Sequence, residues 1–149
     1  MLAIGSDHGG YELKCAIIEL FQERKIDYVD FGTNGPDSVD YPDFGAKVAK
    51  AVAAGDADAG VVICGTGIGI SIAANKVQGI RAALVHDEFT AQMAKEHNNA
   101  NILAMGGRVL SPETGKRLVG IWLDTEYEGG RHQKRLDKIS AIEQEQIKE

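Results

Sequence analysis

Residues 61–71, with the sequence VVICGTGIGIS, combine a thiol with a glycine-rich turn. Alternating glycines let the backbone turn tightly and expose successive N–H groups, and a helix that follows points its positive end at the same place. Such a turn binds an anion or stabilises a developing oxyanion. A plain strand-to-helix turn is the alternative, but three alternating glycines exceed what a turn needs. We therefore predict an oxyanion site formed by Gly65, Thr66, Gly67, Ile68 and Gly69.

Cys64 ends the apolar run of this segment and directly precedes the glycines. The positive end of a helix favours the thiolate form of a neighbouring cysteine, which then acts as a nucleophile or as a general base. A lone cysteine is more often a buried structural side chain, but this position makes Cys64 the candidate reactive group. Cys15 lies on the flank of the first predicted helix without such a setting, so we expect it to pack in the interior.

Other motifs for nucleotide or metal chemistry fail on inspection. A dinucleotide fingerprint needs a small residue where this chain has Ile70, and a P-loop needs a Gly-Lys-Ser/Thr sequence that is absent. The four histidines show no ligand spacing, and neither HExxH nor CxxC occurs. The sequence therefore predicts no metal and no cofactor.

Two His-containing dipeptides are further candidates. Asp7-His8 leaves the first apolar run and is suited either to orient a sugar hydroxyl and contact a phosphate or to cap a helix. His97-Asn98 follows a helical segment and offers either a proton carrier near neutral pH or a helix end with its turn. A third dipeptide, His86-Asp87, mainly indicates the start of a helix, with Asp87 as its N-cap.

Arg131 and Arg135 belong to the one basic cluster of the chain. Residues four apart share one face of a helix, and two guanidinium groups converging on one spot suit a phosphate. A solvated basic patch is the alternative. Because the preceding Gly-Gly exposes the start of the helix, the sequence supports the phosphate site and the solvated patch equally. Arg108, after the fifth apolar run, is a similar but weaker candidate.

Composition limits the class of protein. The chain has 149 residues, 44% of them hydrophobic, which fits one globular domain over residues 1–149. Its net charge of −6 argues against a nucleic-acid partner, and no apolar run is long enough to cross a membrane. The N-terminus lacks the basic and apolar regions of a signal peptide, so we expect a cytoplasmic protein.

Apolar runs alternate with segments of helical period along the whole chain. Strands are predicted at residues 2–6, 26–31, 60–64, 80–85 and 101–105. Helices are predicted at residues 10–24, 42–54, 70–76, 88–96, 112–123 and 133–148. This order predicts a single-domain α/β fold, a three-layer α/β/α arrangement around a five-stranded parallel Rossmann-like sheet. Ligands of such sheets lie beyond the carboxyl ends of the strands, which places residues 6–9, 64–69, 86–87 and 105–108 on one rim.

Taken together, these segments resemble ribose-5-phosphate isomerase type B. The similarity covers essentially the whole chain in one collinear order, with DHGG at 7–10, CGTGIG at 64–69, AANK at 73–76, HN at 97–98, GR at 107–108 and EGGRH at 128–132. It implies interconversion of ribose 5-phosphate and ribulose 5-phosphate through a cis-enediolate, without a cofactor. Allose 6-phosphate or galactose 6-phosphate isomerases of the same superfamily are the near alternatives, and a non-catalytic phosphometabolite-binding module is the distant one.

The resemblance also implies a role for each candidate residue. Cys64 matches the proton-transfer base, and the glycine loop with Thr66 matches the anion hole for the enediolate. His97 matches the ring-opening acid, with Asp7 as its partner in that step. The remaining matches are contacts to the phosphate or the substrate, at His8, Asn98, Arg108, Arg131 and Arg135. A branch of the family carries a glutamate base where this chain has Ile70, so the chain resembles the cysteine branch.

Members of this family form dimers or tetramers whose sites mix residues from two subunits. The resemblance therefore implies a homo-oligomer with shared active sites. The final helix carries a narrow apolar stripe suited to such an interface, at Leu136, Ile139, Ile142 and Ile147.

Overall fold

The protein is described by a computed structural model that covers residues 1–147. The strands are β1 (Leu2–Ser6), β2 (Tyr28–Asp30), β3 (Ala59–Cys64), β4 (Ala82–Leu84) and β5 (Ile102–Gly106). The helices are α1 (Tyr11–Glu23), α2 (Tyr41–Ala53), α3 (Ile68–Asn75), α4 (Glu88–Glu96), α5 (Pro112–Asp124) and α6 (Arg131–Ile147). Every predicted element is present with small shifts of its ends; Lys148, the predicted end of the last helix, lies outside the described residues.

All strand pairs are parallel, and the strand order is β2-β1-β3-β5-β4. The predicted five-stranded parallel sheet is therefore confirmed. The chain continues from β1 to β2 on one side of β1 and later places β3 on its other side. This reversal creates a crevice between the carboxyl ends of β1 and β3, which is where open α/β sheets bind their ligands.

Helices cover both faces of the sheet, as the three-layer prediction requires. Alternate residues of β3 point to opposite faces, so Val61 and Ile63 pack with α1, α4 and α5, whereas Val62 and Cys64 pack with α2 and α3. A strand buried on both faces needs an uninterrupted apolar sequence, which explains the apolar run that marks β3. None of the helices in the described part of the chain has the length and apolarity required to span a membrane.

One expectation for α1 was wrong: Cys15, which we expected to pack in the interior, is exposed. Its neighbour Lys14, although charged, is only 1% exposed. The Lys14 ammonium group ion-pairs with Asp30 of β2 at 2.6 Å, and this pairing compensates a buried charge that the apolar pattern could not reveal.

Candidate active site

The carboxyl ends of β1, β3 and β5 meet at one rim through backbone hydrogen bonds. The N–H of Asp7 donates to the carbonyl of Ile63 at 3.2 Å, and the N–H of Gly107 donates to the carbonyl of Cys64 at 2.8 Å. A β-carbon on Gly10 would lie 2.6 Å from the side chain of Ile63, so the turn after β1 approaches β3 more closely than a side chain allows. The predicted rim is thus one packed unit, and Cys64 lies at its centre.

The Cys64 side chain is 4% exposed, and its sulfur accepts the N–H of Gly67 at 3.2 Å. Gly67 has a φ of +81° and is the N-cap of α3, so the helix begins two residues before the predicted start. The Thr66 hydroxyl accepts the N–H of Ile68 at 3.2 Å. The Cys64 sulfur thus lies at the N-terminal end of α3 and accepts a backbone hydrogen bond there. The loop therefore has the geometry expected of a reactive cysteine.

The glycine loop also retains donors for a ligand. Within residues 1–147, the N–H groups of Gly65, Thr66 and Gly69 have no protein acceptor. Groups of this kind beside a buried thiol can accept the negative oxygen of an anionic intermediate. The observed backbone is compatible with the predicted oxyanion site.

Asp7 and His8 line the crevice next to this loop. Asp7 is buried and its carboxylate accepts the N–H of Gly10 at 3.2 Å, so it does cap the short helix at His8–Gly10. The Nδ1 atom of His8 accepts the N–H of Val39 at 3.2 Å, which assigns the proton of the neutral ring to Nε2. Capping and substrate contact are compatible for Asp7, because only one of its oxygens is used by the cap.

A depression of about 380 Å³ opens beside His8. It is lined by Tyr11, Pro36, Gly107 and the exposed side chain of Arg108. Arg108 reaches back over the loop, since its Nη1 lies 3.1 Å from where a β-carbon on Gly65 would stand. The structure thus brings Asp7, His8, the Cys64 loop and Arg108 together, as predicted.

Tyr41 is a rim residue that the sequence analysis missed. It is the first residue of α2, and its ring lies so close to Gly69 that a β-carbon there would be 2.5 Å from the ring. Its side chain is partly exposed beside the oxyanion loop. The sequence carries no local signal for this contact, because Gly69 lies about 28 positions after Tyr41 in the printed sequence.

Asp87, on the same rim, caps α4 as predicted. Its carboxylate accepts the N–H of Thr90 at 2.7 Å, and the Thr90 hydroxyl completes a capping box. The hydrogen bond from the Thr90 backbone, followed by that from its hydroxyl, lowers the pKa of the Asp87 carboxyl. This dipeptide has a structural role at the rim.

The other predicted residues lie at the opposite edge of the sheet. Helix α4 connects two parallel strands, so it runs back about 13 Å, at 1.5 Å per residue, to the amino end of β5. His97 is its C-cap, and Asn98 follows. Helix α5 runs back in the same way and leads to the start of α6, which carries Arg131 and Arg135. One chain therefore does not bring these four residues to Cys64.

These amino-edge residues form a second group. The rings of His97 and His132 are stacked with centroids 4.1 Å apart, and the N–H of Glu128 donates to the carbonyl of Glu96 at 2.9 Å. Asn98 borders a separate depression of about 250 Å³ against α6. Both predicted phosphate arginines are exposed, and within residues 1–147 neither makes a salt bridge.

A metal site is conceivable at this edge from proximity alone. Ligand atoms of His97, Glu128 and His132 all lie within 4.8 Å of one another. A metal ion bound to histidine lies in the plane of the imidazole ring. The two rings are inclined by only 16°, so their planes do not meet near the nitrogen atoms. The arrangement suits stacking rather than chelation, and the absence of a metal stays a prediction.

A model of the Ribose/Galactose Isomerase family matches residues 2–139 of the chain. The chain belongs to this family. The predicted resemblance is therefore confirmed. Ribose-5-phosphate isomerase B of Escherichia coli is 48% identical over 143 residues, which are 96% of this chain and 96% of that protein.

Solved structures of the ribose/galactose isomerase family share this fold. Ribose-5-phosphate isomerase B of Clostridium thermocellum has a TM-score of 0.95 and 55% identity, with 97% of each chain covered. The enzyme of Mycoplasma genitalium, solved with bound ribulose-5-phosphate, has a TM-score of 0.92 and 44% identity, with 97% of this chain and 96% of that chain covered. At these identities the likeness extends to the whole chain and not only to its sheet.

Proposed function

We propose that this chain is an aldose–ketose isomerase that interconverts ribose 5-phosphate and ribulose 5-phosphate. The observation that carries the proposal is the buried Cys64 sulfur, which lies at the crevice between β1 and β3 beside N–H groups that have no acceptor within residues 1–147. A general base and an oxyanion site are the two requirements for moving a proton between adjacent carbons. The redox change is internal to the sugar, so the reaction needs no cofactor.

In this proposal the Cys64 thiolate removes the proton from the carbon next to the aldehyde and returns it to the neighbouring carbon. The resulting cis-enediolate carries its negative oxygen against the N–H groups of Gly65, Thr66 and Gly69. Asp7 and His97 open the furanose ring before this step, and Asn98 binds a hydroxyl. The sugar phosphate is held by His8, Arg108, Arg131 and Arg135.

The working unit is proposed to be an oligomer of at least two copies, because one chain places its site residues at opposite edges of the sheet. Exposed apolar side chains surround the Cys64 loop at Ile68, Ile72 and Leu84. The stripe of α6 supports the same idea, since Ile139, Ile142 and Ile147 are exposed while Leu136 packs within its own chain. A partner covering the loop would supply His97, Asn98, Arg131 and Arg135 to Cys64.

A cytoplasmic location is proposed with this activity. Both cysteines are free, and a reducing compartment keeps them as thiols. The proposed base must remain a thiol to transfer a proton, which an oxidising compartment would oppose.

Coupled assays on ribose 5-phosphate, allose 6-phosphate and galactose 6-phosphate test the substrate. We expect turnover to be highest with ribose 5-phosphate. Preference for a hexose phosphate would assign the chain to a related isomerase. Phosphate-ester binding without turnover of any of the three would leave only the binding module.

The base is tested by Cys64→Ala, with Cys15→Ala as the matched control. General base catalysis contributes roughly 10²- to 10⁴-fold, so Cys64→Ala is expected to lower kcat by at least that order. Inorganic phosphate should still compete for the site, because the arginines are intact. Cys15 is exposed on α1, so its variant should keep normal turnover. Near-normal kcat in Cys64→Ala would refute the assignment.

A further inference from the structure

His132 is a buried polar residue that the proposed mechanism does not use. It lies in the first turn of α6, between the two exposed arginines Arg131 and Arg135, and is only 5% exposed. Within residues 1–147 its Nε2 atom has no hydrogen-bond partner. A buried nitrogen without a partner is costly. The Glu128 carboxylate lies within ion-pair distance of this nitrogen, at 3.5 Å, without forming a hydrogen bond. A leucine would fill a similar volume without the unmade hydrogen bond, so the imidazole ring calls for a reason other than stability.

The neighbours of His132 point to that reason. Its ring stacks on the ring of His97, with centroids 4.1 Å apart and planes inclined by 16°. The Glu128 carboxylate lies 3.5 Å from its Nε2 atom, and the backbone of Glu128 is hydrogen-bonded to Glu96, the residue before His97. The buried ring of His132 is thus held against the ring of His97, whose side chain is 36% exposed.

We propose that His132 is the positioning residue of His97: its buried ring is a platform that holds the half-buried imidazole in one orientation for ring opening. This inference rests on the proposed isomerase function, which gives His97 its role. A half-buried histidine at a helix end has several staggered rotamers, and a ring stacked on one face removes most of them. Misplacement of a catalytic group by about 1 Å can cost about 10²-fold in rate.

The same contact links ring opening to phosphate binding. His132 faces the interior while Arg131 and Arg135 remain exposed on the same helix turn. The stack between His132 and His97 joins the start of α6 to the end of α4. The stack therefore fixes the position of His97 relative to Arg131 and Arg135.

The two directions of the reaction separate this role from a general structural one. Ribose 5-phosphate exists mainly as a furanose ring closed through its O4 atom. Ribulose 5-phosphate cannot close a five-membered ring, because the oxygen that would close it carries the phosphate. A misoriented His97 should therefore slow the aldose-to-ketose direction, whereas proton transfer by Cys64 in the initial ketose-to-aldose direction is spared.

The test compares His132→Leu with His132→Phe in the whole protein. Both variants fill the buried space and remove the Nε2 atom with its Glu128 contact, but only phenylalanine can stack on His97. For His132→Leu we expect about a 10²-fold lower initial kcat on ribose 5-phosphate and a change within a few-fold on ribulose 5-phosphate. His132→Phe should restore most of the loss. His86→Ala, which removes an exposed histidine on another element, should match the wild type in both directions.

A second readout does not depend on activity. The ring protons of His97 should carry a ring-current shift in NMR spectra of the wild type and of His132→Phe, and should lose it in His132→Leu. Equal losses in both directions, equal behaviour of the two variants, or an unchanged ring-current shift would overturn the inference. A wild type with the shift but without isomerase activity would instead refute the proposed function.

Discussion

Lys14 and Asp30 form a pair whose two ends differ in their access to water. The Lys14 side chain is almost fully buried on the inner face of α1, whereas the Asp30 carboxylate at the edge strand β2 is partly exposed. Asp30 also accepts the N–H of Gly32 through its other oxygen at 2.8 Å. The lysine thus depends on the aspartate more than the aspartate depends on the lysine.

This asymmetry predicts an order of stability for two single variants. Asp30→Asn leaves an ammonium group buried without its counter-charge, a change that typically costs about 3–5 kcal/mol. Lys14→Met places an apolar chain of similar length in the same space and leaves a carboxylate that water can reach. We therefore expect Asp30→Asn to be the less stable variant in urea unfolding at neutral pH. The reverse order would contradict this account of the pair.

Single residues were predictable where their local sequence determines their surroundings. Cys64 follows from an apolar strand that ends in glycines, and Asp87 follows from a cap position before a helix. Cys15 was misplaced and the burial of Lys14 was not foreseen, because burial on α1 depends on which faces the helix turns toward the sheet and α5. The role of Tyr41 depends on contact between α2 and a loop some 28 positions later, counted along the printed sequence, and local pattern carries no such information.

At the scale of elements, strand lengths were predicted well in the centre of the sheet and poorly at its edges. The ends of β1 coincide with the prediction, because a central strand is apolar along its full length. Strands β2 and β4 are shorter than predicted by three residues each. Both are edge strands, which have a hydrogen-bonding partner on one side only, so their apolar ends continue outside the ladder.

The first turns of helix α3, where the oxyanion loop passes into the helix, carry two exposed isoleucines. Ile68 and Ile72 are four residues apart on one face, and Ile72 is 56% exposed. Apolar side chains clustered at the surface beside a candidate site are typical of an interface. If a partner copy covers this face, it also brings its own side chains to Cys64.

Ile72→Asp is expected to separate the copies and to abolish turnover together. A carboxylate buried at an interface would lose its hydration without gaining a counter-charge. Light scattering after size-exclusion chromatography measures the assembly, and the coupled assay measures turnover of the same fractions. Ile72→Val is the matched control and should keep both properties. An oligomeric Ile72→Asp variant with normal activity would show that this face is not the interface.

At the scale of the whole molecule, the candidate site is divided between two edges of one sheet. The chain order of the motifs gave no sign of this division, because parallel strands and returning helices place consecutive motifs at alternate edges. Cys64 and Asp7 follow strands, whereas His97 and Arg131 follow or begin helices at the opposite edge. The topology supports the proposal that a complete site takes residues from two copies.

This division predicts that two inactive variants can restore each other. In a mixed dimer of Cys64→Ala and His97→Ala, one of the two sites would combine an intact Cys64 with the intact His97 of the other chain. Random pairing in co-refolding makes half of the dimers mixed, so about a quarter of wild-type activity is expected in a symmetric dimer.

The control mixture pairs Cys64→Ala with Asp7→Asn, whose asparagine can still cap the helix. Both residues of that pair lie at the same edge, so every site would keep a defect and the activity should not exceed the mean of the parents. No recovery in either mixture would mean that each chain completes its own site.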